Sequence, residues 1–306
     1  MTLATDSASH DLASLDLWPI GNCQVSALID TSGRLVWACA PRVDGEPVFC
    51  SLLSGSSTGE STANGRWSVD LEDCVHVEQS YVRNTPVLTT RHIDSAGGVI
   101  EVVDFCPRFQ RQGRTYRPVA WARIVRPVAG SPRIRVRLRP MHGWGAHRSR
   151  VVTGSNHIRY DLGEFGLRLT TSAPVGMVAE ERSFRVERPV YFFLGVDESF
   201  DGDLAASMDA MLGATIAEWQ DWVRGLATPP EWQDVVIRAA ITLKLCQHEE
   251  TGAIGAALTT SIPEHADSGR NWDYRYCWIR DAYYTVQALN RLGALDVLEG
   301  YLEYLR

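Results

Sequence analysis

The sequence is poor in lysine, in long apolar runs and in paired cysteines. Of its 30 basic residues only Lys244 is a lysine; a replacement of Lys by Arg that runs through the whole chain reflects a genome-wide bias rather than a local design. No stretch of 18 consecutive apolar residues occurs, which excludes a transmembrane helix. The first twenty residues have neither a basic n-region nor an apolar h-region, so no secretory signal is expected, and the chain reads as cytoplasmic. The seven cysteines (Cys23, Cys39, Cys50, Cys74, Cys106, Cys246 and Cys277) are odd in number and widely spaced, with no C-x-x-C pair. That argues against a disulfide framework and a structural zinc site, and favours buried free thiols. No G-x-G-x-x-G or P-loop occurs, and no Ser-His-Asp arrangement is recognisable by spacing.

What is present is an ordinary globular composition, with 45% hydrophobic and 22% charged residues in 306 positions. A chain of this length suggests two domains and can bury a core without staples. The net charge is −7, but thirteen arginines and no acidic residue lie between Phe105 and Tyr160, leaving −20 on the remainder. A basic block can mark nucleic-acid binding. Here it has strand periodicity and few interleaved aromatics, so a salt-bridged face within or between subunits is the favoured reading.

Residues 1–17 read as a loose tail, and residues 18–200 as strands and turns. Gln24–Ile29 and Arg34–Cys39 flank an Asp30-Thr31-Ser32-Gly33 turn, predicting a hairpin. Val99–Phe105 is rich in β-branched residues, and Ile134–Arg139 alternates apolar residues with Arg at period two, with the arginines on one face. Arg159–Thr170 and Arg185–Val196 read similarly. Many short strands with such turns indicate a β-sandwich. The period then changes. Leu204, Met208, Met211, Leu212, Ile216, Trp219 and Val223 recur at three and four, which predicts a linker helix within 201–230. Thr228 is the expected N-cap of a helix restarting near Glu231 and running to about Glu249, where Thr251-Gly252 stops it. After a loop over 255–275, helices are predicted from Ile279 to Leu292 and from about Ala294 to the last residue. A helical pattern with no stop signal before Arg306 leads to the expectation of a truncated domain.

The densest chemistry lies in Arg270-Asn271-Trp272-Asp273-Tyr274-Arg275-Tyr276-Cys277-Trp278-Ile279-Arg280-Asp281. Charged groups beside large aromatics cost desolvation energy unless paired. Such a mixture suits a sugar: ring faces stack on pyranose C–H groups, and Asp and Arg bind hydroxyls. The alternative is a buried junction in which Arg–Asp pairs tie loop to helix. His142 and His147, five apart among glycines, have no evident third metal ligand and read as a surface loop.

The segment from Asn271 to Asp281 resembles glycoside hydrolase family 15, the glucoamylase and trehalase-like enzymes, whose signature is matched at Asn271, Asp273, Tyr274, Tyr276, Trp278, Arg280 and Asp281. Thr259-Thr260-Ser261-Ile262-Pro263-Glu264 is similar to the family's bacterial branch. Ile20-Gly21-Asn22-Cys23, Asp30 with Gly33, Trp37, Pro41-Arg42 with Asp44, and Asp104-Phe105 with Pro107 resemble its trehalase-like N-terminal β-domain. The resemblance implies a β-sandwich followed by an (α/α)6 barrel of which residues 231–306 supply only the first helices. It implies hydrolysis of α-glucosides with inversion, without a cofactor or metal. It implies that Arg280 and Asp281 hold glucose hydroxyls, that Trp278 walls the pocket, and that Tyr274 supports the oxocarbenium-like transition state. The family's acid and base, both glutamates, are expected beyond residue 306. Of the local carboxylates, Glu264, Asp273 and Asp281, none is favoured as a substitute. Trehalose is the first expected substrate and maltodextrin the second; no nucleic-acid or membrane partner is expected, and homo-oligomer formation is left open. The alternatives are a non-catalytic carbohydrate-binding or regulatory fragment, an arginine-rich nucleic-acid binder, and a glycoside phosphorylase, which would share the barrel.

Overall fold

The computed structural model describes residues 15–53, 65–196, 200, 202–259 and 268–306. The N-terminal part is β-rich. One antiparallel sheet is built, in spatial order, from Leu17–Gly21, Ser26–Asp30, Leu35–Cys39, Arg66–Leu71, Arg133–Arg139 and Phe184–Arg185, with Pro47–Phe49 joining at Leu35–Cys39. The second runs Arg150–Thr153, His157–Asp161, Gly166–Thr171, Val190–Val196, Ala120–Ala129, Val99–Phe105, Leu88–Asp94 and Cys74–Tyr81. The two sheets share one core: Ile29, Trp67 and Val136 from the first meet Val102, Trp121 and Phe192 from the second. This is the sandwich the alternation pointed to. The Asp30–Gly33 turn is where the sequence puts it. Asp30 Oδ1 accepts from the Ser32 and Arg34 amides at 2.9 Å, and Gly33 sits at φ +75°, a conformation that costs glycine nothing. The run Arg159–Thr170 divides into His157–Asp161 and Gly166–Thr171, paired as a hairpin. Arg185–Val196 likewise divides, because Glu187-Arg188-Pro189 interrupts it.

Part of the arginine block is engaged in ion pairs within the molecule, while Arg111, Arg114, Arg148 and Arg150 are exposed. Arg133 pairs with Glu72 at 3.1 Å, Arg137 with Asp70, and Arg139 with Glu181 at 2.6 Å, all on the outer face of the strand whose apolar residues fill the core. Arg123 and Asp104 are register partners on adjacent strands and point into the sandwich. Arg123 binds both oxygens of Asp104 and donates to the Trp67 carbonyl at 3.1 Å and the Gly33 carbonyl at 3.0 Å. A buried ion pair persists only when its remaining hydrogen-bonding capacity is met in this way.

Among the described residues, five α-helices follow the strands or interrupt them: α1 (Val175–Ala179), α2 (Leu204–Arg224), α3 (Gln233–Leu245), α4 (Ile279–Arg291) and α5 (Leu295–Leu305). α2 is capped by the Asp203 side chain on the Ala205 amide. It is more than a linker: Met208 and Leu212 lie on the outer face of the second sheet against Val87, Val103, Phe105, Ala122 and Ile124. That is why the strand Val99–Phe105 is apolar on both faces rather than half-buried. Farther along, Trp219 and Val223 pack on Ile237, Ile241 and Leu245 of α3 and on Cys23. The expected start of α3 is corrected. Thr228 is not its cap; Trp232 takes that place at φ +60°, and Thr228 Oγ1 accepts instead from Gln233 Nε2. α3 also ends at Leu245, not Glu249, since Gln247 leaves the helix to bridge Ile254. α4 stops at Gly293 as expected, and α5 follows directly. Residues 1–14 and Glu264 lie outside the described residues. Among those described, no helix is long and apolar enough to cross a membrane.

Candidate functional site

The signature segment meets the β-part through two anchors. Trp37, in the strand Leu35–Cys39, donates its indole N–H to the Leu258 carbonyl at 2.8 Å. The chain just before Leu258 then runs beside the signature: the Ala257 amide donates to the Tyr274 carbonyl at 2.8 Å and the Ala256 amide to that of Tyr276 at 3.2 Å. The second anchor is Arg275, only 5% exposed. Its Nε and Nη2 bind the Asp273 carboxylate at 3.0 and 2.7 Å, and its Nη1 donates to the Gly45 carbonyl and lies 3.6 Å from Cys39 Sγ. The Trp144 ring covers the guanidinium at 4.8 Å. Burial alone would raise the Asp273 carboxyl, but the hydrogen bonds and charge of Arg275 prevail and hold it below its ordinary range.

The same Asp273 fixes the aromatic group. Its carbonyl accepts from the Trp278 indole at 2.8 Å. Trp278 lies 5.7 Å from Tyr274 and 6.2 Å from Trp272, ring centre to ring centre, in tilted and edge-on geometries. Tyr274 and Trp278 are half-buried, whereas Trp272 is 47% exposed. Arg280 and Asp281 stand in the first turn of α4, where Arg280 Nη2 donates to Asp281 Oδ2 at 3.2 Å. Asp281 at a helix N-terminus is favoured by the orphan amides there. Tyr274, Trp278, Arg280 and Asp281 are thus held on one short loop-to-helix unit. Their open rings and polar edges have the chemistry to stack on and hydrogen-bond a pyranose.

Of the carboxylates weighed for catalysis, Asp273 is taken by Arg275 and kept ionised, so it has no proton to give. His142 and His147 face one another across a short hairpin with ring centres 5.2 Å apart. Among the described residues, no group of three His, Cys, Asp or Glu is placed to hold a metal.

Sequence reasoning assigned no structural role to three groups. Arg275 is one; it was legible only as another charge in a dense motif. The second is Asn22, fully buried, whose Nδ2 donates to the carbonyls of Pro107 and Pro118 while its Oδ1 accepts from the Gln24 and Val25 amides. The third is an ionic knot around Glu249. Glu249 receives Arg108 in a fork at 2.7 and 2.9 Å and Lys244 at 2.9 Å, and Lys244 also reaches Asp296 at 2.9 Å. Burial would raise the Glu249 carboxyl, but Arg108 and then Lys244 bring it down to about 2. A lone lysine in the apolar run Thr242–Leu245 was the available signal.

Comparison with known proteins agrees with this arrangement at both ends of the chain. The model of the glycosyl hydrolases family 15 matches residues 231–305, and that of the trehalase-like N-terminal domain matches residues 12–184. A trehalase of Thermoplasma volcanium is 27% identical over 283 residues, covering 90% of this chain and 44% of its own length. A trehalase of Mycobacterium tuberculosis is 28% identical over 308 residues, covering 92% and 44%. Trehalase 1 of Sulfolobus acidocaldarius is 26% identical over 280 residues, covering 88% and 44%. The chain therefore spans less than half the length of these relatives. The trehalase-like N-terminal model covers more than half of the chain, so the chain belongs to that family, and the segment bonded to this β-part through Trp37 and Arg275 matches the glycosyl hydrolases family 15 over residues 231–305.

Proposed function

We propose that the complete polypeptide is an inverting glycoside hydrolase that releases glucose from α-glucosides, with trehalose the first substrate and maltodextrin the second. The observation that carries this reading is the trehalase relatives' alignment over about nine-tenths of the chain, signature segment included. In this reading residues 18–200 form the trehalase-like β-domain and residues 201–230 the connecting helix. Residues 231–306 begin an (α/α)6 barrel. The exposed apolar side chains of α4 and α5, among them Ile279 at 74% and Tyr284 at 66%, are then faces for further barrel helices.

Arg280 and Asp281 would hold the hydroxyls of the terminal glucose, Trp278 would wall its pocket, and Tyr274 would lie by the anomeric carbon as positive charge develops. These contacts accelerate the reaction only where they strengthen in the transition state. Inversion needs an acid to protonate the leaving oxygen and a base to activate water, spaced roughly 6.5–9.5 Å apart. Those two glutamates are expected beyond residue 306, consistent with Asp273 being engaged elsewhere. A cytoplasmic location fits the free cysteines.

The test is glucose release by the full polypeptide from trehalose and from maltose, with the anomer followed by NMR. Inversion releases a β-anomer from the α-linked sugar; α-anomer alone would overturn inversion. No release from either sugar would overturn the hydrolase, and turnover only with phosphate would make it a phosphorylase.

A further inference from the structure

One edge of the Arg275 guanidinium and its face reach into the β-domain. Its guanidinium lies under the Trp144 ring at 4.8 Å and donates to the carbonyl of Gly45, 230 residues earlier in the chain. Trp144 itself takes a left-handed backbone, φ +58°, between Gly143 and Gly145, a costly conformation for a tryptophan. The remaining guanidinium edge grips both Asp273 oxygens, and the Asp273 carbonyl is the acceptor of the Trp278 indole. From this chain of contacts we infer that Arg275 is a positioning residue: the β-domain, through Gly45 and Trp144, sets the place of Tyr274 and Trp278 by way of Arg275 and Asp273.

The inference rests on the glycosidase reading only for its kinetic consequence. A planar guanidinium can serve Asp273 in two-point fashion, Gly45 with its other nitrogen and an aromatic face together; an ammonium cannot. Without it the Asp273 carboxylate keeps a half-buried charge with no counter-ion, and the loop bearing Trp278 has no reason to hold its register. Misplacement of such groups by about 1 Å costs on the order of 10²-fold in rate. The β-domain then acts on the reaction without touching the sugar.

The experiment uses the full polypeptide and the variants Arg275→Ala, Arg275→Lys and Trp144→Leu. Hydrogen exchange is measured over residues 254–281, and kcat and KM on the best glucoside, at a temperature where each variant is folded by circular dichroism. Arg275→Ala is expected to speed exchange at the Ala256, Ala257 and Trp278 amides and to lower kcat about 10²-fold with a smaller change in KM. Added guanidinium ion below denaturing concentration should restore part of the rate. Arg275→Lys keeps the charge and serves if the alanine variant fails to fold; it should show the same loosening, in lesser degree. Trp144→Leu should follow in the same direction. Unchanged exchange in a folded Arg275 variant overturns the inference, as does a loss of stability with kcat intact. If the unmodified protein hydrolyses no glucoside, the functional reading fails, and the exchange arm still decides the positioning role.

Discussion

Glu249 is a single carboxylate that receives Arg108, Lys244 and, at 3.5 Å, Arg117, at the seam between the strands and α3. Removing one partner from a buried ion pair leaves a desolvated charge without compensation and costs about 3–5 kcal/mol. Glu249→Gln is therefore expected to destabilise by about 3 kcal/mol in urea unfolding; a loss within about 0.5 kcal/mol, the range of an ordinary surface change, would mean the knot is not coupled to folding. At the candidate site the expectation is kinetic. Asp281→Ala in the full polypeptide should lower kcat/KM by at least about 10²-fold, or about 2.7 kcal/mol, with little change in melting temperature, because among the described residues the Asp281 side chain is bonded to the exposed Arg280 alone. A folded variant with unchanged kcat/KM would remove Asp281 from the site.

Among the elements, α2 shows how local pattern and packing divide the work. Its period of three and four specified a helix with one buried stripe, and Met208, Leu212, Trp219 and Val223 are that stripe. What the stripe covers is two different things, the outer face of a sheet and then α3. Met208 is fully buried on the sheet, so Met208→Ala should cost about 2–5 kcal/mol, measured by chemical denaturation. The turn after α3 is equally specific. Gly252 has φ +80°, and a Cβ there would strike the carbonyl oxygen of Gly300 in α5. Gly252→Ala should lower the melting temperature and loosen α5 in hydrogen exchange, whereas an alanine at Gly213, where the added methyl meets nothing, should not.

The molecule as a whole should be acid-labile in two stages. His92 is buried near Arg123 and its pKa falls to about 4, so the fold holds it neutral while an unfolded chain takes a proton near pH 6.5. Its contribution is complete above about pH 6.5 and is lost as the pH falls toward 4. Glu249, depressed to about 2, contributes fully above about pH 4.5 and loses that contribution as the pH falls toward 2. Each is on the order of 3 kcal/mol. Melting temperature should therefore fall from pH 6.5 downward, and His92→Gln should flatten the limb between pH 6.5 and 4 while leaving the lower limb. An unaltered upper limb in that variant would exclude His92 as its cause.

Much of this was present in the chain itself. The strand and helix periods, the Asp30–Gly33 turn, the Gly293 stop and the dense motif from Arg270 to Asp281 are short-range features, fixed by backbone sterics and side-chain alternation, which neighbours in sequence decide. Where a helix cap or end depends on a distant partner, local signals misled: Thr228 has the chemistry of a cap, yet Trp232 begins α3. Only the tertiary structure decided what each charge does. The arginines of the strand Arg133–Arg139 and Arg123 read equally as a nucleic-acid face or a set of ion pairs until Asp70, Glu72, Asp104 and Glu181 are brought to them from elsewhere in the chain. Arg275 and Asp281 are both charged members of one motif, and local pattern alone does not tell which of them is buried. Folding sets Arg275 against Gly45 and Trp144 and leaves Asp281 at the open end of α4. Partner and burial are long-range properties, and for a charged group they set the whole of its energetics.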